Sequence, residues 1–165
     1  MQLSRLFRHL LLPDWWALRA FPPATLAAVT RAIAASERTH CGELRLVVEA
    51  GLPLPTLWRQ HAPRDRAIAL FSELRVWDTE ENSGVLIYLQ LIDRRVEIVA
   101  DRGINARVGP AFWRAVCRQM EQAFREGRFE TGTLAALNAI NDVLTEHFPS
   151  TGNNPNELPD APLVL

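Results

Sequence analysis

Hydrophobic and polar positions follow two periods along this chain. Residues 85–91, VLIYLQL, are apolar almost without interruption, and a strand apolar on both sides needs packing layers on both faces of its sheet. Asn82, Ser83 and Gly84 introduce that strand with turn-forming residues. Asp93 and Arg94 separate it from residues 96–99, where Val96 and Ile98 share a face, so the pattern predicts an antiparallel hairpin. Upstream, Leu44, Leu46 and Val48 alternate with Glu43, Arg45 and Glu49, which predicts a first strand nearer the edge of the sheet.

The second period is helical. Leu26, Val29 and Ile33 follow Pro22-Pro23 and predict a helix to about Arg38. Ala67, Leu70, Phe71 and Leu74 line one face over residues 64–74, with Asp65 in the first turn. Trp113, Val116, Cys117, Met120 and Phe124 form the stripe of a helix that starts at Gly109-Pro110 and stops at Gly127. Leu134, Leu137, Ile140 and Leu144 mark a last helix, with Thr131 or Thr133 as its cap and Pro149 beyond its end. Strand, helical crossover and buried strand make a right-handed βαβ unit, and the hairpin makes the sheet mixed. The expected fold is a three-layer α/β/α sandwich around a small mixed sheet.

Three segments follow from these patterns. In residues 1–21, Leu3, Leu6, Phe7, Leu10 and Leu11 lie at helical spacing opposite Arg5, Arg8 and His9, which reads as an amphipathic helix packed on the domain, with an anchor to a membrane surface or a partner as the alternative. Adjacent positions on a helix point about 100° apart, so Trp15 and Trp16 cannot both face one core; one is a candidate partner surface. Residues 22–148 carry the domain, including a proline-rich connector with a short helix near residues 56–60. Residues 149–165 mix Pro, Asn and Gly without a period, and are expected to be extended or disordered.

Composition narrows the function. With 165 residues and 48% hydrophobic content, one compact domain is expected. The 18 basic residues are all Arg and are balanced by 19 acidic ones, for a net charge of -1; no global field favours nucleic acid. Two distant cysteines make neither a zinc site nor a disulfide scaffold. No apolar run is long enough for a secretory signal or a membrane span, so a cytoplasmic protein is expected. Ser83 lies outside a G-x-S-x-G elbow, the four histidines show no metal spacing, and there is no phosphate-binding glycine loop.

The chemistry that remains is acidic. Asp78, Glu80 and Glu81 precede the buried strand, and Asp101 follows the second hairpin strand. If the first two strands are parallel, these four residues fall at one sheet edge, where their carboxylates suit a hard cation such as Ca²⁺ or Mg²⁺. Asp93 belongs to the opposite end of the hairpin. Arg102 and Arg107 offer planar forks to a phosphate oxygen, with a solvated surface as the alternative for both.

The run N-S-G-V-L-I followed by D-R-R-V-E-I resembles the hallmark of the TPM domain family, named after thylakoid and membrane proteins. That hallmark is approximately N-N-G-V-L, then D-R-K-V-R-I, then a glycine-rich loop. Asn82, Gly84, Asp93, Arg94 and Gly103 carry the match, whereas Asp101-Arg102 stands where relatives have Gly-Tyr. The resemblance implies a three-layer fold and acidic loop residues that bind calcium. Two functions then stand side by side. The leading one is a non-catalytic accessory or interaction domain that binds a divalent cation and a protein partner in a membrane-associated or stress-response system. The alternative is a weak metal-dependent phosphatase acting on phosphomonoesters.

Overall fold

The computed structural model describes residues 15–52, 62–150, 152 and 156–165. Among them are six helices and four strands: α1 (Trp15–Ala20), α2 (Pro23–Ser36), β1 (Leu44–Glu49), α3 (Pro63–Glu73), β2 (Val85–Gln90), β3 (Arg95–Ala100), α4 (Arg102–Val108), α5 (Pro110–Arg125), α6 (Phe129–His147) and β4 (Leu163–Val164). The expected amphipathic stripe of residues 3–11, the short helix near 56–60 and the side chains of Trp15 and Trp16 lie outside the described residues.

The sheet order is β3-β2-β1-β4. β1 runs parallel to β2, with Leu44 opposite Val85 and Val48 opposite Leu89, and parallel to β4. β2 and β3 form the expected antiparallel hairpin, with Ile87 opposite Ile98. Period-2 alternation then sorts the side chains. Leu44, Leu46, Val48, Val85, Ile87, Leu89, Val96 and Ile98 face the larger core under α2, α5 and α6. Val47, Leu86, Tyr88 and Val99 face a smaller core with Ala67, Leu70 and Val76, under α3. Each face needs its own cover, as the apolar run of β2 requires.

Four sequence expectations are revised. β1 is interior, because β4 pairs along its outer side; two residues held by main-chain bonds leave no periodic signal. The polar positions of the β1 alternation, Glu43, Arg45 and Glu49, which a strand at the sheet edge would leave in water, are buried. The stretch after β3, read as an exit loop, is helix α4, begun by Asp101 and ended at Gly109 with φ 79. The last helix starts at Phe129, so Thr131 and Thr133 lie inside it, and the buried Thr133 hydroxyl donates to the Phe129 carbonyl at 2.9 Å.

β3 forms one edge of the sheet. Its outward backbone groups are covered by side chains: Val96 N donates to Glu121 Oε1 at 3.3 Å, and the Arg64 guanidinium donates to the Ile98 carbonyl. Such cover keeps an edge from pairing with another chain.

Candidate functional site: the acidic turn at the sheet edge

Residues 79–84 form a tight turn into β2. Asn82 N donates to Thr79 O at 3.2 Å, and Ser83 N donates to Thr79 Oγ1 at 3.0 Å. Asn82 takes φ 52, a left-handed conformation that asparagine tolerates better than most residues. Its carbonyl accepts from Gly103 N at 3.1 Å and Ile104 N at 3.3 Å. Those donors are orphans of the first turn of α4, so the turn and the helix satisfy each other. Arg102 Nε adds a bond to Asn82 Oδ1 at 2.9 Å.

The glycines follow from this closeness. A Cβ on Gly103 would lie 2.6 Å from both the Glu81 and Asn82 carbonyl oxygens, so only glycine lets α4 approach the turn. Asp101 joins the two strands to the helix: its N donates to Gly84 O at 2.9 Å, and its Oδ1 accepts from Arg102 N at 2.7 Å as the N-cap. Its other oxygen, Oδ2, is buried without a hydrogen-bond partner.

Asp78, Glu80 and Glu81 are exposed on the same turn. The edge predicted from the strand directions is therefore present, since Val85 lies opposite Ala100. Among the described residues, however, no three His, Cys, Asp or Glu side chains are gathered closely enough to hold a metal ion. The orphaned Asp101 oxygen suits a cation, and the three exposed carboxylates would have to swing to join it. Both arginines are exposed: Arg102 gives its Nε to Asn82, and Arg107 lies over the Phe148 ring, 4.9 Å from its centroid. Asp93 and Arg94 close the far end of the hairpin. Arg94 has φ 53, and Asp93 N donates to Gln90 Oε1 at 2.6 Å.

Three features escaped the sequence reading. The first is a cleft of about 510 Å³ between β3 and α5, lined by Arg64, Trp113, Arg114, Cys117, Arg118 and Glu121 among others. Burial, then Glu97, pushes the Cys117 thiol up to about 11, which disfavours the thiolate. The i, i+4 pair Arg114 and Arg118 beside Trp113 was the available signal. The second is a buried network in the smaller core: Glu49 accepts from Tyr88 Oη at 2.5 Å and from Arg66 Nη2 at 2.9 Å. The third is an acidic group around Glu37 and Glu43, where burial raises Glu37 to about 8 and Glu43 to about 7. Trp77 is 50% exposed, whereas Trp113, on the apolar stripe of α5, is buried.

These features define a three-layer α/β/α domain whose acidic turn is locked onto a short helix. The chain belongs to the TPM domain family, whose model matches residues 19–143. It is similar to the NMR structure of the BA42 protein from the psychrophilic bacterium Bizionia argentinensis. That similarity has 27% identity and a TM-score of 0.75, over 86% of this chain and 93% of that one. The N-terminal domain of a P. gingivalis protein shares the fold at 21% identity and a TM-score of 0.61, over 76% of this chain and 79% of that one. No curated protein matches the chain. Among the described residues no helix is long and apolar enough to cross a membrane.

Proposed function

We propose that this protein is a non-catalytic binding domain that presents the acidic turn at its sheet edge, with a divalent cation held there, to a protein partner. The observation that carries the reading is how the residues of the turn and of the start of α4 are used. Asn82, Gly84, Arg102 and Gly103 are consumed in fixing the turn, while Asp78, Glu80 and Glu81 are left exposed on it. Asp101 Oδ2, buried and without a hydrogen bond, is the oxygen on which a hard cation would first be held, and the exposed carboxylates would complete its oxygen shell. A phosphatase would instead need a guanidinium held toward the transferred group; the contacts of Arg102 Nε with Asn82 and of Arg107 with the Phe148 ring hold neither toward the carboxylates of the turn. The family resemblance points to a role beside a membrane-associated or stress-response system.

A calcium titration followed by backbone amide NMR, with magnesium as comparison, tests this reading. Saturable shifts concentrated at residues 78–84 and 101–105 are expected, with no turnover of a phosphomonoester in either cation. Absence of shifts at millimolar calcium would overturn the cation site. Turnover that disappears in Asp101→Asn would overturn the non-catalytic assignment.

A further inference from the structure

The outer side of β1 is filled by the chain's own residues 156–165, and the way they are held differs from the rest of the core. Glu43 Oε1 and Oε2 accept from Glu157 N and Leu158 N, both at 3.1 Å. Arg45 Nη1 donates to the carbonyls of Pro159 at 2.5 Å and Ala161 at 2.7 Å. β4 then pairs with β1, and the ladder ends with Leu165 N donating to Val48 O at 2.9 Å and Ala50 N donating to Leu165 O at 3.3 Å. Main-chain groups of the segment make all of these bonds. Leu158 is its one buried side chain. Recognition of an extended segment by main-chain bonds along a strand, with a pocket for one side chain, is how sheet edges bind peptides.

One contact is of a different kind. Glu37, which caps α2 and is buried, faces the Asp160 carboxyl of the segment, and two carboxyl groups brought together there are held only while one of them carries a proton. We propose that the groove along β1 is a binding site for an extended peptide, that its resident ligand is the chain's own segment 156–165, and that loss of the proton held between Glu37 and Asp160 releases this segment as a unit. The proton departs to solvent.

The charges around the latch set the sign. Glu37 and Glu43 face Asp160 from the body of the domain, and Glu157 faces Glu43 from the segment itself. Arg45 is the cation bound to the segment, through two carbonyls. His40, in the loop between α2 and β1, is buried and pushed down to about 4, so it adds no positive charge near neutrality. Burial, then Glu43 and Asp160, lifts Glu37 to about 8. Rising pH therefore gathers four carboxylates around one guanidinium and favours release. The Glu157 and Leu158 amides oppose the burial that raises Glu43 without outweighing it.

Amide hydrogen exchange on the full chain tests this, read as protection after correction for intrinsic rates. Between about pH 6.5 and about pH 9, the amides of Glu157, Leu158, Leu165 and Ala50 are expected to lose protection together, about tenfold more than those of β2. Glu37→Gln removes that pH dependence, and so does Asp160→Asn, which reaches the same proton from a half-buried position should the first variant fail to fold. A fluorescent peptide with the sequence of residues 156–165, in excess over the millimolar effective concentration of the tethered segment, is expected to bind the full chain saturably at the higher pH and at least about tenfold more weakly at the lower. Protection that tracks β2 at both pH values would overturn the release, and no saturable peptide binding at the higher pH would overturn the site.

Discussion

Gly84 lies so close to Val76 that a Cβ at residue 84 would stand 1.8 Å from the Val76 carbonyl oxygen. The obstructing atom is backbone, in the turn after α3, and cannot rotate away as a side chain would. Gly84→Ala is therefore expected to cost about 3 kcal/mol or more. Gly103→Ala, with its Cβ 2.6 Å from two carbonyl oxygens, should cost about 1–3 kcal/mol and shift the amides of Glu81 and Asn82. Urea unfolding of both variants checks the order, and a loss below about 1 kcal/mol for Gly84→Ala would contradict the geometry.

The network under the smaller core yields a second prediction. Glu49 is buried, and Arg66 and Tyr88 are its partners. Arg66→Met leaves the carboxylate uncompensated and is expected to cost about 3–5 kcal/mol, whereas Arg66→Met combined with Glu49→Leu should recover much of that loss. Tyr88→Phe removes one hydrogen bond and keeps the ion pair, so about 1–2 kcal/mol is expected. A double-mutant cycle measures the coupling, and simple additivity of Arg66→Met and Glu49→Leu would show that the pair contributes nothing.

What the sequence made legible follows from how local its causes are. The β2–β3 hairpin, its parallel partner β1 and helices α2, α3 and α5 announce themselves through unbroken periods and proline starts. Asn82, Gly84 and Gly103 could be picked out as a motif, but the reasons for them are contacts of Gly84 with Val76 and of Gly103 with Glu81 and Asn82. The burial of Glu43 and Glu49 was not legible, because alternation reports which face a residue occupies, not what covers that face. Their covers, the segment 156–165 and Arg66 of α3, come from distant sequence. α4 was missed for a similar reason: seven residues carry little periodicity, and its start depends on the Asp101 cap and the Asn82 carbonyl.

Stability should depend on pH with a sign set by three buried groups. His40 Nδ1 accepts from Gly42 N at 3.1 Å, which requires the neutral ring, and burial pushes its pKa down from 6.5 to about 4. Its contribution is complete above about pH 6.5 and is lost as pH falls toward 4, for a total of about 3 kcal/mol. Glu37 and Glu43 act oppositely. Their folded values lie above the ordinary 4.5, at about 8 and about 7, so their contribution is complete below about pH 4.5 and is lost as pH rises through those values. Between about pH 4.5 and 6.5, two losses outweigh one gain, a net fall of about 1.4 kcal/mol per pH unit from these groups. Urea unfolding of Glu37→Gln over that range should show a slope more positive than the parent by the same amount, and an unchanged slope would refute the assignment.

Asp101 performs two tasks with its two oxygens, and substitution can separate them. Oδ1 caps α4 through Arg102 N, while Oδ2 is buried without a hydrogen bond. Asparagine caps a helix about as well as aspartate, so Asp101→Asn should keep its stability within about 0.5 kcal/mol, provided its amide oxygen takes the capping position. It also replaces the orphaned anionic oxygen with a neutral group of poor affinity for a hard cation. Asp101→Ala loses both tasks and should cost about 0.5–2 kcal/mol. Thermal unfolding of the three proteins, with and without calcium, reads both effects at once: calcium raises the midpoint of the parent alone, because a ligand stabilises only the state that binds it. An equal rise in Asp101→Asn would place the cation on Asp78, Glu80 and Glu81 without Asp101, and leave the buried oxygen with a purely structural role.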